Sequence, residues 1–183
     1  MKSTSAFFYI PLNYPHFVFL FHHGKKPKYK RLLYLWTMEM FTDEWFMREA
    51  LREAVKAAEK GEVPVGAIVA AGHTILARGH NLTETLNDVT AHAEMQVITA
   101  ASHAIGSKFL QDTVLYVTLE PCLMCAGALK WARCKKVVFG AFDPKYGFTS
   151  STGVLGKTEV IGGVLEADCS RLLTNFFRAK RGL

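Results

Sequence analysis

No acidic residue occurs in positions 1–37, and six of the chain's 22 basic residues are there (Lys2, Lys25, Lys26, Lys28, Lys30 and Arg31). That leaves 16 basic against 16 acidic residues in 38–183, so the net charge of +6 belongs to the leader. The remaining chain therefore offers no global field to attract a polyanion. Long apolar runs are also missing from the leader, where the best, Phe17–Phe21, is five residues long and lies between His16 and His22. It is far short of the roughly 20 residues of a membrane span, and no small-residue cleavage site follows it as in a secretory signal. Cysteine is scarce: Cys122, Cys125, Cys134 and Cys169. Four cysteines in 183 residues do not make a secreted disulfide framework. There is one C-x-x-C pair and no second beside it, which argues against a four-ligand structural zinc site. Internal repeats and a linker between domains are absent as well. The remaining two cysteines, Cys134 and Cys169, read as buried small apolar residues.

Residues 1–37, rich in Phe, Tyr, Pro and Lys, read as a basic aromatic extension. It either lacks fixed structure or precedes a later start at Met38 or Met40. Residues 38–183 read as one domain with a sizeable core. Thr42, Asp43 and Glu44 open a helix expected over 43–60, with Phe46, Ala50, Leu51, Ala54 and Ala58 at helical spacing and a stop at Gly61. Val63–Ala71 and Thr74–Arg78 read as a β-hairpin and 79–90 as a loop. Helices are expected from about 90 to 102, 122 to 133 and 168 to 180, and strands at 113–119, 136–141 and 160–164. The fold class is therefore α/β: a three-layer α/β/α sandwich around a mixed sheet of about five strands. The hairpin should be antiparallel and the helix-linked strands parallel.

Two short segments carry chemistry, His92-Ala93-Glu94 and Pro121-Cys122-Leu123-Met124-Cys125, each opening a predicted helix. One imidazole and two thiols make a three-ligand zinc set that leaves a fourth position open, as hydrolysis requires. The C-x-x-C spacing puts both sulfurs on one helical turn, and a helix N-terminus favours thiolate. Glu94 is two residues from the His ligand, close enough to move protons without binding the metal. Such acid–base assistance contributes about 10²–10⁴-fold. A redox C-x-x-C explains neither the upstream His-x-Glu nor the preceding proline. Jointly, H-x-E and P-C-x-x-C are the signature of zinc nucleobase deaminases.

On these motifs the sequence resembles the cytidine deaminase-like superfamily, and within it bacterial tRNA-specific adenosine deaminases. The resemblance runs from about Asp43 to Arg181 and rests also on Glu62-Val-Pro-Val-Gly-Ala67, Thr90-Ala-His-Ala-Glu94, Tyr116-Val-Thr-Leu-Glu-Pro-Cys122, Val137-Val-Phe-Gly-Ala141 and Asn175-Phe-Phe-Arg178. It implies one Zn2+ per subunit and hydrolysis of the wobble adenosine of a tRNA anticodon stem-loop to inosine and ammonia, with the base flipped out for attack at C6. It further implies a cytoplasmic homodimer with no membrane association. Asn81 would hydrogen-bond the base, Val65 and Leu119 would wall its pocket, and main-chain groups near Ala93 and Glu120 would touch it. Phe176, Phe177, Arg178, Lys180 and Arg181 are the candidate RNA contacts, because aromatics stack on splayed bases and arginines hold phosphates. Lys130, Arg133, Lys135 and Lys136 form a second basic cluster. After Asp143-Pro-Lys-Tyr-Gly147 the chain departs from the family's small-residue run by placing the bulky Phe148.

The alternative readings are a deaminase of a free base or nucleotide, of guanine or cytosine type, and a non-enzymatic zinc-stabilised partner subunit. The basic tail speaks against the first, and the presence of Glu94 against the second.

Overall fold

A computed structural model of the chain describes residues 41–151 and 153–182. The leader and the candidate starts Met38 and Met40 lie outside these residues. Helix α1 (Asp43–Glu59) begins where Thr42 Oγ1 accepts from Trp45 N at 3.2 Å, with Asp43 and Glu44 set against the positive end of the helix dipole. Its buried stripe is Phe46, Met47, Ala50, Ala54 and Ala57. It stops in a Schellman turn: Gly61, at φ +75°, donates to Ala58 O, and Glu62 N donates to Ala57 O, both at 3.0 Å.

Strands β1 (Gly66–Ala71) and β2 (Thr74–His80) form the expected antiparallel hairpin. β1 starts three residues later than the apolar pattern suggests. Pro64 has no N–H to give a ladder, and Val65 N is taken by Val63 O at 2.7 Å in a tight turn. Helix α2 (Ala93–Ile105) also starts later than expected, because Thr90 is tied back to Asp88 Oδ1 through its amide (2.8 Å) and hydroxyl (2.7 Å). Strand β3 (Val114–Leu119), helix α3 (Leu123–Trp131) and strand β4 (Lys136–Ala141) follow, then a short 3-10 turn at Phe148–Ser150, strand β5 (Glu159–Ile161) and helix α4 (Glu166–Lys180). β5 is shorter than predicted. Gly162 passes against the ring of Phe139, and Val164 N donates to Phe139 O, which turns the chain out of the ladder.

The five-stranded sheet has the order β2-β1-β3-β4-β5. β1 is antiparallel to both neighbours, while β3–β4 and β4–β5 are parallel. β2 and β3, linked through α2, thus run in the same direction, as do β3 and β4, linked through α3.

Strand alternation divides the core in two. Ala67, Val69, Leu115, Val117, Val137 and Phe139 point to the face covered by α2 and α3, through Val97, Ala101, Ala126 and Leu129. Ile68, Ala70, Tyr116 and Val138 point to the other face, under α1 and α4, through Phe46, Met47, Ala50 and Cys169. Each large side chain so buried is worth about 1.5–3 kcal/mol. The expected three-layer arrangement is present. At Gly66 a Cβ would collide with the α1 backbone at Ala50 and Ala54, so glycine lets that helix lie close on the sheet.

Candidate active site

His92 and Cys122 are the N-caps of α2 and α3, both with extended backbone, and Glu94 and Cys125 lie in the first turns of the same helices. The site therefore sits where the carboxyl end of β3 meets two helix N-termini, the usual ligand position of an open α/β sheet. His92 Nδ1 lies 3.7 Å from Cys122 Sγ and 3.5 Å from Cys125 Sγ, and the three donor atoms all fall within 4.8 Å of one another. Zinc–sulfur bonds of about 2.3 Å and zinc–nitrogen bonds of about 2.0–2.1 Å at tetrahedral angles require an N···S edge of roughly 3.6 Å. The observed edges match that length, so these residues are spaced to hold zinc.

The electrostatics agree with a metal-binding donor set. Hydrogen bonds from the Cys125 thiol and His92 bring the Cys122 thiol down to about 4, so it stands as thiolate. Cys125 is pushed up by that same bond and by burial. The bond to Cys122 raises His92. Burial raises the Glu94 carboxyl above the usual carboxylate range, toward the proton-carrying form. Cys134 and Cys169 are buried, as expected, and burial lifts the Cys169 thiol to about 12.

Val65 and Ala93 are buried in the same apolar cluster, with Leu119 packed partly against it at the end of β3. Asn81, also buried, joins Val65 through a 3.0 Å bond from its amide to Val65 O. The Glu120 amide is not available to a base: it donates to Ala141 O at 2.8 Å, extending the β3–β4 ladder. Phe148 turns into the core, only 5% exposed, with its ring edge-on to Phe139 at 6.2 Å. The loop's added bulk is thus structural.

On α4, Phe176 is half-buried, while Phe177, Arg178, Lys180 and Arg181 are exposed. Lys180 Nζ sits 5.1 Å from the Phe176 ring centre, and Arg181 Nε donates to Phe177 O at 3.1 Å. The other basic cluster is partly committed elsewhere. Lys136 pairs with Asp43 at 2.9 Å, and the Arg133 guanidinium lies 4.1 Å over the Phe109 ring.

Two buried carboxylates were not singled out from sequence. Glu120 accepts from Asp143 N (3.0 Å), Thr149 N (2.8 Å) and Thr149 Oγ1 (2.6 Å), and so holds loop 143–149. That loop is also bridged to the cysteine turn, by Phe148 N to Pro121 O at 3.0 Å and by a Cys122–Gly147 β-bridge. Glu62 accepts from Thr85 N (2.7 Å), Glu84 N (3.2 Å) and Thr83 Oγ1 (3.2 Å). The available signal was an acid directly flanking an apolar, strand-like run of the sequence, Glu62 before Val63 and Glu120 after Leu119.

Residues 40–141 match the family described as the cytidine and deoxycytidylate deaminase zinc-binding region. The chain belongs to this zinc deaminase family. It is 50% identical over 149 residues to a tRNA-specific adenosine deaminase of Bacillus subtilis (strain 168), covering 78% of this chain and 92% of that one. A structure solved in a study of A-to-I editing by tRNA:A34 deaminases at the wobble position of transfer RNA superposes with a TM-score of 0.66 at 43% identity, over 70% of this chain and 98% of that one. A guanine deaminase from Bacillus subtilis superposes with a TM-score of 0.53 at 38% identity, over 56% of this chain and 66% of that one. The zinc deaminase fold and the enzyme class follow from these relationships. Among the described residues, no helix of this deaminase is long and apolar enough to cross a membrane.

Proposed function

We propose that this zinc deaminase converts the wobble adenosine of a tRNA anticodon stem-loop to inosine, releasing ammonia. The observation that carries the reading is the three-donor cluster at zinc-edge spacing with a buried carboxyl two residues from its histidine. The substrate assignment is supported by 50% identity to a tRNA-specific adenosine deaminase across nearly all of that relative's length.

His92, Cys122 and Cys125 would hold the metal, one per subunit. When bound, zinc supplies the Lewis acidity that makes water a nucleophile near neutral pH. Glu94 takes one proton from the attacking water and gives it to the purine ring nitrogen, then takes the second from the hydroxyl added at C6 and gives it to the amine, which leaves as ammonia as the C6 carbonyl forms. Val65, Ala93 and Leu119 wall the flipped-out base and exclude solvent, and Asn81 hydrogen-bonds its edge. Phe176, Phe177, Arg178, Lys180 and Arg181 carry the anticodon loop by stacking and phosphate contacts. The enzyme acts as a cytoplasmic homodimer, a reading that rests on family resemblance.

The likeness to a guanine deaminase makes a free base the competing substrate. Zinc-loaded full-length protein should be offered an adenosine-34 stem-loop, guanine and cytosine in parallel. Inosine in the stem-loop alone is expected. Ammonia released only from a free base would overturn the substrate assignment while leaving the zinc chemistry in place.

A further inference from the structure

Glu62 is fully buried at the end of the Schellman turn, where the helix terminus fixes its backbone. Its carboxylate receives two main-chain N–H groups and the Thr83 hydroxyl. Burial disfavours its charge, but the hydrogen bonds from Thr85, Glu84 and Thr83 prevail and hold the carboxyl below its ordinary range. An ionised carboxylate only accepts, so the single Thr83 hydroxyl proton must point at Glu62. The Thr83 oxygen is then left as an acceptor, and Asn81 Nδ2 donates to it at 3.3 Å. The reverse amide orientation would set Asn81 Oδ1 against an oxygen with no proton to give. Among the described residues, no group donates to Asn81 Oδ1.

We infer that Glu62 and Thr83 are positioning residues for base recognition, which lock the Asn81 amide with Oδ1 and one spare N–H free for the substrate. This rests on the reading of Asn81 as the residue that meets the base. The locked pattern, an acceptor beside a donor, complements the N6 amine and N7 of adenine. Guanine presents two acceptors, O6 and N7, on the same edge and opposes it. The relay therefore favours a 6-aminopurine and makes Asn81 selective without touching the base itself.

The test is a double-mutant cycle in the zinc-loaded full-length enzyme: Thr83→Val, Asn81→Ala, the pair, and Thr83→Ser. Thr83→Val keeps side-chain volume and leaves both main-chain bonds to Glu62. It should lower kcat/KM on the adenosine-34 stem-loop by roughly 3- to 10-fold, the equivalent of one net hydrogen bond. Zinc content should not change, and Thr83→Ser should restore the rate. In the Asn81→Ala background, Thr83→Val should add nothing, a silence that a merely structural role would not produce. Equal, additive losses in both backgrounds would overturn the relay. So would wild-type activity in Thr83→Val alongside an impaired Asn81→Ala. If Asn81→Ala itself equals wild type, there is no contact to position, and the inference falls while the deaminase stands. Should wild type act on guanine and not on the stem-loop, the substrate reading and the adenine preference both fail.

Discussion

Replacing Glu120 with glutamine would show how far the cysteine turn depends on its neighbouring loop. The carboxylate accepts three hydrogen bonds, one from Asp143 N and two from Thr149, and both oxygens are used. Glutamine keeps the shape but has one acceptor oxygen. Whichever way the amide turns, its NH2 faces a donor. With Oε1 on Thr149, the Asp143 bond is lost; the opposite flip loses both Thr149 bonds. The better flip forfeits one charge-assisted bond, a cost of about 2–3 kcal/mol. A chain of this size loses about 2–4 °C of Tm per kcal/mol, so the melt should fall by roughly 4–12 °C. Glu120→Ala should fall further, and Thr149→Val less, because it removes a single hydroxyl. Circular dichroism melts of the zinc-loaded proteins measure all three. Because Phe148 N and Gly147 are bridged to Pro121 and Cys122, zinc should also leave Glu120→Gln sooner under chelator competition. A melt within 2 °C of wild type, by about the resolution expected of one lost bond, would refute the claim that this carboxylate clips the loop to the metal turn.

Glu94→Ala should retain zinc and lose at least about 10²-fold in turnover, since the proton carrier is gone but the three donors remain; metal analysis beside an inosine assay decides it. For Glu62, whose folded pKa lies below its ordinary value, the stabilising effect is present above the unfolded pKa and is lost as pH falls through the folded pKa. The stability gap between wild type and Glu62→Gln should therefore shrink as urea melts move from about pH 6 to about pH 3, down through the carboxylate range, and a constant gap would contradict the assignment. Phe177→Ala with Arg178→Ala should raise KM for the stem-loop with little change in Tm, because both side chains are exposed on the last turns of α4; equal KM values would remove the tail from the RNA surface.

The sheet, its helices and the metal donors were legible because each is written in a local pattern. β-branched runs mark β1, β3 and β4, and H-x-E and P-C-x-x-C sit at helix starts, where caps are readable. Element ends were less legible, because long-range bonds set them: Thr90 looks like a helix cap in sequence but is captured by Asp88, and Val164 leaves the ladder for Phe139 O. The two loop-holding carboxylates were invisible for a related reason. Glu62 reaches 21 to 23 residues ahead, and Glu120 as many as 29, to groups whose nearness no periodicity records. They also share a logic. Each buries a charge beside the chemistry and satisfies it chiefly with main-chain N–H groups, so each fixes a loop rather than a single side chain. The sequence motif marks the three clustered donors and the acid beside them, and Glu62 and Glu120 hold in place the loops that carry Asn81 and flank Cys122. Substitutions at Glu62 or Glu120 should therefore disturb catalysis while leaving every residue of the zinc signature intact.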